Sequence, residues 1–154
     1  MTPIYAVLLC LHALAAAFWV GGMAVISFAV RPAAVQTLEP PLRLALLAAV
    51  LRRFFSGVAW AIGLLLGSGA AMVLLAGGLG RVHWSVHAML ALGLGMVGVF
   101  VQLRLGPGAR LQKAVTRREW AQAAAQLGLI RQRVLINLAL GGGVFALAII
   151  GRTF

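Results

Sequence analysis

The chain has 154 residues, of which 63% are hydrophobic and 10% charged, and its mean hydropathy is +1.05. Such a composition excludes both a water-soluble globular domain and a disordered chain, and it describes an integral membrane protein. The net charge of +11 gathers in two segments between apolar runs, the pattern that membrane topology produces, so a nucleic-acid partner is not expected.

Residues 1–30 form the first of four stretches without Lys, Arg, Asp or Glu; the others are 54–80, 82–103 and 134–151. Each approaches the roughly 20 residues that a helix needs to cross about 30 Å of hydrocarbon. Nothing alternates as a barrel strand would, so lipid leaves helices as the solution. The expected fold is all-α: an integral membrane four-helix up-and-down bundle, one domain over residues 1–154, with spans at about 4–30, 54–78, 83–104 and 133–151. The first run has no basic n-region and is too long for a signal-peptide core, which reads as a retained first helix. Cys10 is the single cysteine and makes no internal disulfide.

Between helices one and two lie Arg31, Arg43, Arg52 and Arg53. "PPLRLALLAAVLRRFF" opens with two prolines suited to a first turn, so helix two is expected to begin near Pro41, well before its span. Between helices three and four lie Arg104, Arg110, Lys113, Arg117, Arg118, Arg131 and Arg133, whereas Arg81 and Arg152 fall at the other end. The positive-inside rule then puts both basic segments in the cytoplasm of a bacterial-type inner membrane and the two termini on the periplasmic side. "RLGPGAR" is expected to break the chain after helix three. Thr116 and Glu119 match a capping box, so helix four is expected to start near Thr116, extended into the cytoplasm like helix two.

The histidines carry the chemistry. His12 in helix one and His83 and His87 at the start of helix three fall toward the same end of the bundle. Helices one and three are diagonal partners separated by roughly 11–14 Å, room for a macrocycle between two axial imidazoles. That geometry suits a b-type haem near the periplasmic side held by His12 and His87. At about 100° per residue, Ala16 and Trp19 share the His12 face as walls of a flat pocket. Arg81 and Arg152 sit where propionates would emerge. Copper is the alternative, on His12, His87 and His83, because imidazole and thioether suit copper. Met89 and Met96 point nearly opposite His87 and Met23 lies deep, so a closed His-Met-Cys cage is not expected. Asn137 is expected to make an interhelical hydrogen bond, and Ser68 either orients an imidazole or bonds back to its own helix.

The stretches "LHALAAAFWVGGMAVISFAVRP", "RRFF", "GSGAAM", "VHAML", "GP", "INLALG" and the late "GR" resemble the copper resistance protein D family in its small stand-alone form. The pattern is also similar, more distantly, to small membrane protoporphyrinogen oxidases. That second resemblance implies His12 and His87 as a functional pair, though Ala88–Ala91 holds no lysine where those oxidases carry one. Three functions follow as expectations. One is a cytochrome-like redox protein that exchanges electrons with quinol or a periplasmic partner, a possible membrane oxidoreductase. Another is a copper-binding or copper-transport protein using the same histidines. The third is a metal-free accessory subunit that docks onto a membrane complex.

Overall fold

A computed structural model describes residues 3–151, in which four long helices account for nearly every position and no strand occurs among the described residues. The helices are α1 (Pro3–Thr37), α2 (Pro40–Leu75), α3 (Trp84–Thr116) and α4 (Trp120–Ile150), each long and apolar enough to cross a membrane. Short connections oblige consecutive helices to run antiparallel. The bundle therefore has a histidine end, with His12, His83 and His87, and an arginine end, where the basic segments gather.

As expected, α2 opens on Pro40 and Pro41, which supply a preset φ where no intrahelical N–H is needed. Both α2 and α4 extend past their apolar spans at the arginine end, and α1 and α3 do so as well. The sequence suggested a break at "RLGPGAR"; instead α3 passes through Pro107 in a π-helical turn, Arg104–Gly108. α1 does the same ahead of Pro32, with a π turn at Ile26–Val30 in which the Arg31 N–H reaches the Ile26 carbonyl. A proline inside an α-helix lacks its N–H and presses on the carbonyl four residues back, and a π turn widens the helix locally to relieve both problems.

The expected capping box also resolves differently. Thr116 is the last residue of α3, and its hydroxyl donates to the Gln112 carbonyl at 3.0 Å. Arg118 adopts φ +58°, and the Arg118 and Glu119 N–H groups bond back to the Val115 and Ala114 carbonyls at 3.1 and 2.9 Å. That is a Schellman closure, so the turn caps the end of α3 rather than the start of α4.

The core lies mainly toward the arginine end, around Leu44, Leu47, Leu51, Phe55, Leu111, Ala114, Ala123 and Ile130, with Leu111 and Ala123 fully buried. Gln112 crosses to the Ala48 carbonyl of α2 at 2.7 Å, and Arg133 of α4 holds Gln102 of α3 at 3.0 Å. Helix α1 packs on α2 and α4, and α3 on α4. By contrast, α2 meets α3 chiefly through the π turn and the basic extension of α3, so these two neighbours part toward the histidine end.

Candidate metal site

His12 lies on the face of α1 that carries Ala15, Trp19 and Met23, all three buried, and is itself half-buried near the histidine end. Its Nδ1 stands 3.0 Å from the Ser68 hydroxyl of α2. Ser68 is buried and also donates to the Leu64 carbonyl of its own helix. A hydroxyl has one proton; with that proton given to Leu64, the Ser68 oxygen accepts, and His12 must donate from Nδ1. The Nε2 lone pair of His12 is then the one left for a ligand, which is how an outer hydroxyl selects the metal-binding nitrogen of an imidazole. The ring rests against Gly69, where an added Cβ would fall 3.3 Å from His12 Cε1, so glycine lets α2 approach the imidazole. Ser68 thus fills both roles that its sequence position allowed.

The other histidines face elsewhere. The buried positions of α3 are Ser85, Met96, Phe100 and Leu103. His87 lies nine residues from Met96, about 180° around the helix, and is exposed. His83 is exposed as well and caps α3: its Nδ1 lies 3.0 Å from the Ser85 hydroxyl and accepts from the Ser85 N–H at 3.4 Å, with the ring 5.5 Å from that of Trp84. Among the described residues no group of three His, Cys, Asp or Glu side chains is placed to hold a metal, so the three-histidine copper site is not assembled. Nor do the residues fit a haem clasped inside the bundle by His12 and His87, because His87 points away from the core. Trp19 does not wall a flat pocket either; it is 4% exposed and meets Phe100 edge to face at 6.1 Å. Ala16 is half-buried beside it, and Arg81 is exposed in the turn between α2 and α3, its side chain against Gly77. Arg152 lies outside the described residues.

What the fold does gather is a column of soft donors. Met23 and Met96 are 2% and 4% exposed and join Trp19 and Phe100 in one core cluster. A Cβ on Gly141 of α4 would fall 2.7 Å from Val20 and 3.3 Å from Met96 Cε, so Met96 is level with Val20. By helix rise, Met96 is then about 12 Å and Met23 about 16 Å below His12 on the inward side. Met72, half-buried, lies one turn from Ser68 on the same face of α2, toward the histidine end. Sequence reasoning passed over Met72 and set Met96 aside; the spacing of Ser68 and Met72 was the available signal. Asn137, 1% exposed and one turn below Gly141, leaves its Oδ1 without a hydrogen-bond partner, in place of the interhelical bond expected of it.

The sequence profile of the copper resistance protein D family matches residues 48–150, two thirds of the chain. No curated protein and no solved structure gives a match.

Proposed function

The chain belongs to the copper resistance protein D family, and from that premise we propose that this multi-pass membrane protein handles copper as Cu(I), received at His12 and accepted by Met96 and Met23. The observation that carries this reading is the placement of the donors: an oriented imidazole toward the histidine end and two buried thioethers deeper in the bundle. Imidazole and thioether are the ligands a soft, monovalent copper ion prefers, and neither must lose a proton to bind it. Copper is here the cargo, and its passage from nitrogen to sulfur involves no change of oxidation state. Met72 adds a half-buried thioether toward the histidine end. The positive-inside rule orients the histidine end toward the periplasm and the arginine end toward the cytoplasm of a bacterial-type inner membrane.

Anaerobic Cu(I) titration of the detergent-purified protein against a chromogenic chelator, followed by X-ray absorption, tests the reading. Two Cu(I) per chain are expected at saturation, one with nitrogen scattering from His12 and one with sulfur scattering from the buried thioethers. His12→Ala should weaken binding at the outer site by about tenfold or more, and Met23→Leu with Met96→Leu should remove the inner site and most of the sulfur signal while the helical content stays unchanged. A folded wild-type protein that takes up no stoichiometric Cu(I), or the same affinity in every variant, sinks the proposal and returns the chain to the reading of a metal-free accessory subunit.

A further inference from the structure

We propose that the arginine end carries a binding site for a phosphate-bearing anion, formed by Arg31 of α1 with Arg131 and Gln132 of α4 around a single cavity. The cavity is an open groove of about 570 Å³ lined largely by exposed residues, Arg131, Gln132, Gly128, Leu129 and Leu135 among them, with Arg31 half-buried at its side. Positions 128, 131, 132 and 135 recur at helical spacing, so α4 presents one continuous wall. Arg31 enters from α1 immediately after the π turn at Ile26–Val30, which shifts the helical phase at the point where this side chain emerges.

Two arginines lining one open groove repel one another unless an anion joins them. Arg31 is half-buried, and the charges that act on it, Arg131 and Arg43, are both cations. The chain has two acidic residues, Glu39 and Glu119. Neither lines the cavity, and neither figures among the charges acting on Arg31. The membrane rule accounts for arginines at this end of the bundle. It gives no reason for two of them to converge on one cavity, since topology is satisfied equally by side chains extended into water.

The complement of this site is a phosphate group. A guanidinium presents a planar fork that matches two phosphate oxygens, and the carboxamide of Gln132 adds a neutral donor. The apolar share of the lining, Leu129 and Leu135, and its place where the apolar spans give way to the basic extensions suit the phosphodiester of an anionic lipid. Inorganic phosphate presents the same oxygens without the chain.

Two variants and two ligands test the site. Arg31→Gln with Arg131→Gln removes the charge. Gly128→Leu keeps every charge and puts a side chain into the cavity, where an added Cβ meets nothing within 4 Å. Native mass spectrometry of the delipidated protein should show phosphatidylglycerol bound at least about tenfold more tightly than diacylglycerol, which has the same chains and no phosphodiester, the difference expected of roughly one charge-assisted contact. Both variants should lose that preference. If instead inorganic phosphate binds the wild-type protein, is lost in both variants and the lipids are not discriminated, the site stands with the free anion as its ligand. No preference for either anion in the wild type overturns the proposal. So does loss in the arginine variant alone with Gly128→Leu unaffected, because the effect would then be diffuse charge.

Discussion

The two ends of the bundle are built on different physics. At the arginine end all four helices run past their apolar spans, and Leu44, Leu47, Leu111, Ala114 and Ala123 close a core there. Helix extensions in water gain from burying apolar surface in the ordinary way. At the histidine end the buried residues are few, Ala15, Ser68 and Ser85 among them, and α2 parts from α3. Lipid tails are as apolar as the side chains they meet, so this half is held by close packing and a few hydrogen bonds. The difference teaches that the packed core is concentrated where the helices run past their apolar spans, and that few buried residues surround His12.

That contrast can be broken first by hollowing out the arginine end. Leu111→Ala should cost about 2–5 kcal/mol of unfolding free energy, measured by denaturant titration in detergent. Leu14→Ala, at a position 63% exposed, should stay within about 0.5 kcal/mol; equal losses at the two sites would erase the asymmetry. Next comes a seam at the histidine end. A Cβ on Gly151 would stand 2.5 Å from Ser85 Cβ, which no rotamer change relieves. Gly151→Ala should therefore force α4 from the start of α3 at a cost of about 1–3 kcal/mol, visible as a lowered melting temperature.

A smaller effect probes function rather than stability. Ser68→Ala removes the acceptor that fixes the His12 tautomer, and Cu(I) affinity should fall by about tenfold while the melting temperature barely moves. A larger loss of folding than of copper binding would assign Ser68 to packing. The smallest change is expected at the arginine end again: Arg118→Gly relieves a non-glycine residue at φ +58° and should stabilise by up to about 1 kcal/mol.

Particular residues show what was legible beforehand. The number of helices, their direction and the early start of α2 followed from charge-free length and from Pro40 and Pro41. The π turns did not, because a proline motif reads as a break unless neighbouring helices hold the chain together through it. Thr116 and Glu119 carry the letters of a cap, yet a backbone closure at Arg118 fixed the turn first. At the candidate site, His12 shares its face with Trp19 and Met23 as the wheel implies, whereas His87 was placed inward and lies outward.

That last contrast marks the boundary between sequence and structure here. Composition determined by itself that the chain is helical and membrane-spanning, because an unpaired backbone cannot persist in hydrocarbon. The placement of the two basic segments opposite the histidines was equally fixed, since charge resists crossing lipid. Spacing determined which side chains share a face: Met96 with Phe100, and His87 opposite both. Only tertiary structure decided which face of each helix turns inward. In water a polar stripe would have announced the outside, but in lipid both faces of a helix are apolar and no one-sided pattern tells them apart. Packing around Trp19 and Phe100 made that choice, setting Met96 and Met23 inside and His87 out.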